Sequence, residues 1–269
     1  MINRFIALLA LFLCAFPLPS ASETAAKPHL RVLVSEDPPV NYYDSKGQVV
    51  GMGADLVRLV AGHLGVPAEI EVYPWIRAIK IAQDEPNVLI VNAGITPERR
   101  QAGFTFIGPV VTLRNALYRR KDDGAAPRSI AEIAQRGIVV GGTRGDKRVG
   151  ELRAQGVTMF EVASHVQHVK MLLDERLELT LLSDLQIAMC LKLLDKPPHS
   201  VEAAVPTGSQ ANYLMFSPRT DPALLTAWEE GVRKANAGGY FAAEARKWSE
   251  TLGVRIEHDA KRGYFIAPE

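Results

Sequence analysis

Arg99 stands at a predicted helix start, where a cation is unusual. The segment "GITPERRQAGF", residues 94–104, follows the apolar run "NVLIV". Thr96 suits the N-cap and Pro97 the first helical position, which puts Arg99 at the third. The positive end of a helix dipole disfavours a cation there, whereas free backbone N–H groups and a guanidinium together attract an anion. The pattern therefore predicts a carboxylate or phosphate site; the alternative is an exposed arginine whose head lies in water.

Two histidines form the other spacing that could support chemistry. His165 and His168 stand three positions apart in a predicted helix, a spacing that can hold a metal. The sequence offers no third ligand and Lys170 follows closely, so we interpret the pair as part of a solvated helix face and expect no metal or cofactor. The chain also lacks the motifs GxSxG, HExxH and CxxC, and "GGTRGDK" does not have phosphate-loop spacing. These observations disfavour hydrolase, metalloprotease and redox chemistry.

Residues 1–22 have the layout of a secretory signal peptide. Arg4 precedes an apolar stretch that is too short to span a bilayer comfortably, and small residues at positions 20–22 predict cleavage near Ser22. Cys14 follows Leu-Phe-Leu, whereas a lipidation site needs a small residue before the cysteine. The sequence therefore predicts release into the periplasm without a lipid anchor.

The composition of the remaining chain argues against a nucleic-acid partner and against an intramolecular disulfide. Removing the signal takes away one Arg and no acid, so 31 basic residues become 30 against 30 acidic ones. This balance argues against a nucleic-acid partner, which needs a basic face. Only Cys190 remains, so no intramolecular disulfide is expected and stability must come from core burial.

Strand-like and helical runs alternate along the rest of the chain. "HLRVLV", "AEIEVYP" and "NVLIVNAG" read as strands, and "ADLVRLVAGHLG" reads as a helix that ends at Gly65. The alternation begins again after a polar segment, with Ser129 and Ser164 as predicted N-caps. This order predicts an α/β architecture with parallel strands, in two units that pack as lobes around a cleft.

Several segments in order carry a family likeness: "EDPPVNYYDSKGQVVGMGADLVRLVAGHLG", "NVLIVNAGITPERRQAGFTF", "ALYRRKDD", "VVGGTRGDKRVGELRAQG", "DERLELTLLSD" and "NYLMFSPRTDPALLTAWEEGVRK". The ordered set resembles the bacterial solute-binding proteins of family 3, periplasmic receptors for polar amino acids and related solutes. The resemblance implies the type II periplasmic-binding-protein fold, with a discontinuous lobe 1 (residues 23–117 and 213–269) and lobe 2 (residues 118–212). The crossings would lie at "ALYRR" and "NYLMF". It also implies a monomer that closes on a small ligand and delivers it to an inner-membrane ABC transporter.

The same resemblance implies a set of ligand-binding residues. Arg99 matches the arginine that pairs with a ligand α-carboxylate, and Thr96 and the backbone near Asn92 and Gly94 would complete that site. Asp184 matches the acid that receives an α-ammonium; the alternative is a helix-capping aspartate. Thr143 and Arg144, in "GGTRGDK", match a loop that would reach the carboxylate from lobe 2.

The sequence departs from the family pattern where receptors hold the ligand side chain between aromatic rings. By ungapped matching those positions are Asp37 and Met52. Asp37 would instead pair with a cationic ligand, and Tyr42, Tyr43 and Trp75 would serve as walls. Core packing is the alternative for Trp75.

Arg77 and Arg144 would also suit a ligand with a second acidic group, so the ligand stays open.

Two other functions stay open on the sequence alone. A dehydratase of the cyclohexadienyl type resembles these receptors, and Glu36, Asp37 or Asp184 would supply its proton. A soluble ligand sensor for a signalling partner is the third reading.

Overall fold

The computed structural model describes residues 30–268. The short apolar runs form strands, with bounds β1 Arg31–Val34, β2 Tyr42–Tyr43, β3 Val49–Val50, β4 Ile70–Val72, β5 Val88–Gly94, β6 Thr105–Arg120, β7 Val139–Thr143, β8 Thr158–Val162, β9 Leu179–Ser183, β10 Val201–Phe216, β11 Ile256–Asp259 and β12 Gly263–Ile266. The helices between them are α1 Met52–Leu64, α2 Trp75–Asp84, α3 Pro97–Gln101, α4 Ile130–Gln135, α5 Lys147–Ala154, α6 His165–Leu173, α7 Asp184–Leu193, α8 Pro222–Ala237 and α9 Tyr240–Leu252. The predicted signal peptide, residues 1–22, lies outside the described residues.

The main sheet is mixed: the predicted parallel strands lie within each half, and antiparallel pairing, which was not predicted, joins the halves. Its strand order is β4-β1-β5-β10-β6-β9-β7-β8. The outer strands are parallel in both halves, but β10 runs antiparallel to β5 and β6, and β9 runs antiparallel to β6. Strands β6 and β10 pair along almost their whole length, from Val201 opposite Arg120 to Phe216 opposite Thr105. These two long strands join the halves.

Both predicted crossings lie inside these continuous strands, "ALYRR" in β6 and "NYLMF" in β10. Because no loop interrupts the chain at 117/118 or 212/213, the lobe bounds placed there stay a prediction. For description, the first half is the part built on β1, β4 and β5, and the second half is the part built on β7, β8 and β9.

Each half buries its own apolar clusters on the two faces of the sheet. In the first half, α1, α8 and α9 cover a cluster that includes Leu56, Phe216 and Trp228, and α2 covers the opposite face. In the second half, α4 and α5 cover one face, and α6 and α7 cover the other. Helix α7 also places Leu185 and Met189 in the first-half cluster, so it contacts both halves.

The local helix signals are confirmed where side chains cap the first turn. Ser129 and Ser164 accept hydrogen bonds from the backbone N–H groups of the third helical residues, and Gly65 closes α1 at φ 64°. The hairpin of β11 and β12 was not predicted. It joins the sheet because Tyr264 lies beside Val111 of β6. Within residues 30–268, no helix combines the length and apolarity needed to cross a bilayer.

Candidate functional site

A cleft of about 630 Å³ opens between the two halves. Its first wall comes from the segments that follow β1 and β4, Ser35–Asp37 and Tyr73–Trp75. Its second wall comes from the loop that follows β7, from His165 at the start of α6, and from Gln186 in α7. Because open α/β sheets place ligands at the carboxyl ends of parallel strands, this cleft is the candidate binding site.

Arg99 follows the end of β5 at Gly94 and does not itself line this cleft; it lies over Trp75, which does. Thr96 Oγ accepts a hydrogen bond from the Arg99 backbone N–H at 3.3 Å, which confirms the predicted cap. The Arg99 Nη1 donates to the Gly94 carbonyl at 2.5 Å, and the guanidinium carbon lies 4.9 Å from the centre of the Trp75 ring. Among residues 30–268, no carboxylate oxygen lies within 4.0 Å of the Arg99 guanidinium. Burial lowers the pKa of this guanidinium. A half-buried cation without an ion-pair partner can accept an anionic ligand.

Trp75 serves both as a wall of the cleft and as a residue packed against the core, the two roles that the sequence left open. It is partly buried against the cluster under α2, and it also lines the cleft beneath Arg99. The ring helps to hold the guanidinium in place, because cations are attracted to the face of an indole.

Asp37 anchors a chain of side-chain hydrogen bonds that crosses the cleft. Its Oδ2 accepts from Asn92 Nδ2 at 3.0 Å, and its Oδ1 accepts from Gln186 Nε2 at 2.9 Å. Asn92 in turn accepts from Asn212 Nδ2 at 2.9 Å. Since Asp37 follows β1 and Gln186 belongs to α7, this chain holds the two halves together.

Sequence reasoning missed Arg148, which extends this chain into the second half. Its guanidinium donates to Asn115 at 2.7 Å and to Gln186 Oε1 at 3.2 Å, and it pairs with Asp146 at 2.5 Å. Burial works to raise the pKa of Asp146, but the Arg148 hydrogen bonds and charge outweigh it and hold that pKa below its usual value. The signal was present in "GDKR": Asp146 caps α5, and Arg148 is the second helical residue.

Thr143 and Arg144 both line the cleft, as the predicted set requires. The Thr143 hydroxyl is 3.0 Å from His168 Nε2. Arg144 is exposed, and among the described residues its side chain has no hydrogen bond or ion pair. It is therefore a second cation in the cleft wall that is available to a ligand.

Asp184 does not join this group. Its Oδ2 lies 2.9 Å from Arg114 Nε, and its Oδ1 accepts from the Arg114 backbone N–H at 3.2 Å. It lines a different crevice, beside Ile266 and Ala267. Ser183, and not Asp184, is the N-cap of α7 and forms a capping box with Gln186. Asp184 is the first residue of the helix, and its Oδ1 accepts a hydrogen bond from the Leu185 backbone N–H at 2.9 Å.

Tyr43 and Met52 also lie outside the cleft. Tyr43 is 47% exposed and faces a neighbouring pocket together with Tyr42. Met52 is fully buried at the start of α1, so it is a core residue and faces no ligand.

The interpretation of the histidine pair as a solvated face was wrong. His168 is fully buried, and its ring nitrogens contact the hydroxyls of Thr143 and Thr180. His165 is half-buried and lines the cleft. Burial lowers the pKa of both rings, that of His168 to about 3.

We expect the buried His168 to make stability fall in mild acid. Its usual pKa is 6.5 and its folded-state pKa is about 3, so below pH 6.5 protons bind preferentially to the unfolded chain. This linkage lowers the free energy of unfolding by about 1–2 kcal/mol between pH 6.5 and pH 5. Urea denaturation of the wild type and His168→Gln at both pH values measures it. An equal loss of stability in the two proteins would contradict the assignment.

Comparison with known proteins identifies a family and a fold. A family model for bacterial extracellular solute-binding proteins, family 3, matches residues 30–251. The amino-acid-binding protein AabA of Dichelobacter nodosus is 21% identical over 78% of this chain and 83% of its own length. A mutant of the arginine-binding protein ArgBP from T. maritima superimposes with a TM-score of 0.65 at 21% identity, over 82% of this chain and 95% of that one. A histidine kinase sensor domain similar to periplasmic binding proteins gives a TM-score of 0.66 at 16% identity, over 81% of this chain and 95% of the other.

Proposed function

The chain belongs to the bacterial extracellular solute-binding proteins, family 3, and from this premise we propose that it captures a small carboxylate-bearing, amino-acid-like solute. The two halves close around the solute in the cleft, and the periplasmic complex then delivers it to an inner-membrane ABC transporter. The protein acts as a monomer in this scheme. Arg99 carries the proposal, because it is a half-buried cation that lies over the cleft-wall residue Trp75 and has no carboxylate within 4.0 Å in residues 30–268.

The charges of the site support a zwitterionic solute. Arg99 and Arg144 have no ion-pair partner among the described side chains, so both are available to a carboxylate. Two negatively charged side chains, Glu36 and Asp37, line the same cleft. Among the described residues, Asp37 accepts side-chain hydrogen bonds only from the neutral amides of Asn92 and Gln186. A carboxylate at the arginines and an ammonium near Asp37 would therefore be complementary to the cleft.

Closure follows from a solute that contacts both walls. Arg99 and Trp75 belong to the first half, whereas Arg144 and Gln186 belong to the second. A ligand that bridges them binds the closed form better than the open form, and only this difference in affinity can shift the equilibrium.

A thermal-shift screen tests the proposal against amino acids, polyamines and small dicarboxylates. A ligand at a hundred times its dissociation constant adds about 2.7 kcal/mol of stability, which corresponds to a rise in Tm of about 5–10 °C for a chain of this size. We expect such a rise with one or more amino acids. If no amino acid raises Tm, the proposal is wrong. Aromatic product from prephenate or arogenate would favour the dehydratase alternative.

A further inference from the structure

A second pocket, of about 730 Å³, adjoins the cleft. The two spaces share three wall residues, Glu36, Thr143 and His165. The two spaces are therefore adjacent, on either side of these three residues.

The walls of the second pocket are mainly apolar. Tyr42 and Tyr43 of β2 form one side, and Val166, Met189 and Leu193 of α6 and α7 form the other. Tyr43 is 47% exposed and Leu193 is 56% exposed, so two of the large hydrophobic side chains that stay in contact with solvent face the same space. Exposed apolar groups that cluster in this way are typical of binding surfaces.

The charged groups divide between the two spaces. Four charged side chains, Arg144, Arg148, Asp37 and Asp146, line the cleft but not the second pocket; Asp44 and Lys192 line the second pocket alone, where the exposed wall is mostly apolar, and the shared residues Glu36 and His165 stand at the boundary. The polar end of a solute is therefore favoured in the cleft, and an apolar end is favoured beyond it. Both halves of the protein contribute to the pocket, so an apolar group there would also favour closure.

We propose that the solute carries an apolar group of several carbon atoms or a ring, which lies between β2 and α7 while its charged end lies in the cleft. This inference rests on the proposed function and names the class of solute more narrowly. It favours an amphipathic amino acid or a related acid over a small polar one.

Calorimetry with L-alanine, L-norvaline, L-norleucine and L-phenylalanine tests the inference, because the members share a polar end and differ in apolar size. We expect affinity to rise about fourfold per methylene group along the aliphatic members. The variant Leu193→Ser removes apolar wall and is expected to weaken norleucine and phenylalanine by about fivefold or more, with a much smaller effect on alanine. Phe160→Ser is the matched control, since Phe160 is 45% exposed on β8 and lines neither space.

The possible results separate this inference from the proposed function. Equal affinity for all four amino acids would overturn the inference alone. So would a rise in affinity with apolar size in Leu193→Ser that equals the rise in the wild type. Binding of none of the four would overturn the inference alone if another amino acid raises Tm in the thermal-shift screen, and the proposed function together with it if none does. A dimer of the wild type that Leu193→Ser abolishes would also overturn the inference, because the pocket would then hold a second copy of the chain.

Discussion

Arg99→Ala is expected to lower the affinity for the solute at least a hundredfold. The guanidinium can donate two parallel hydrogen bonds to a carboxylate, and hydrogen bonds to charged groups contribute about 1.5–3 kcal/mol each. A hundredfold loss is about 2.7 kcal/mol, which is within reach of that pair. Titration calorimetry with the best amino acid from the thermal-shift screen measures the loss. The unfolding midpoint should fall only modestly, because the substitution removes the hydrogen bond to the Gly94 carbonyl and the contact with Trp75 but no ion pair among the described residues.

Arg100→Ala is the matched control for this measurement. Arg100 belongs to the same short helix and is exposed, with its guanidinium carbon 5.9 Å from the centre of the Phe106 ring. We expect its removal to change affinity by less than about twofold, because exposed charges are screened by solvent and salt. Arg99→Lys keeps the charge but loses the fork, so it should bind nearly as poorly as Arg99→Ala. Wild-type affinity in Arg99→Ala would show that Arg99 does not bind the carboxylate. An equal loss of affinity in Arg99→Ala and Arg100→Ala would show that the positive charge of the segment attracts the solute without a specific contact.

The sequence predicted those parts of the fold that depend on neighbouring residues. The caps at Thr96, Ser129 and Ser164 follow from side chains that reach backbone groups only three residues away, and the α/β class follows from the alternation of apolar patterns. Strand direction depends on how distant segments pair, and nothing in the β10 segment itself indicates that it runs antiparallel to β5. The terminal hairpin was missed for the same reason, since β12 is held by Val111 in a strand far away in the chain.

In the candidate site, too, contacts between neighbouring residues could be predicted and contacts between residues far apart in the chain could not. The cap that positions Arg99 was visible in "TPER", and its lack of a carboxylate partner could be learned only from the folded chain. Asp184 was misplaced because its partner Arg114 lies 70 residues away on β6. Gln186 was overlooked because a glutamine near the start of a mostly buried helix carries no sequence signal for a contact with Asp37.

Gly51→Ala is expected to be the most destabilising of the substitutions considered. Gly51 is the N-cap of α1 at φ 127° and ψ 166°, a conformation that is essentially restricted to glycine and costs other residues about 1–3 kcal/mol. A Cβ there would lie 2.3 Å from the Val40 carbonyl oxygen and 2.7 Å from that of Pro39. Those carbonyls accept hydrogen bonds from the first backbone N–H groups of α1, so they cannot move without opening the loop that carries Asp37.

The predicted cost is therefore about 3 kcal/mol or more in the free energy of unfolding, measured by urea denaturation. Gly47→Ala separates backbone conformation from crowding, because Gly47 also has positive φ, at 74°, but a Cβ there would meet nothing within 4 Å. That control should cost only about 1–2 kcal/mol. The folded fraction of Gly51→Ala should also bind the amino acid more weakly, since displacement of residues 37–40 disturbs the contact between Asp37 and Gln186. Equal stability of the two alanine variants would show that the loop yields to the added methyl group, and would contradict this account of how α1 positions Asp37.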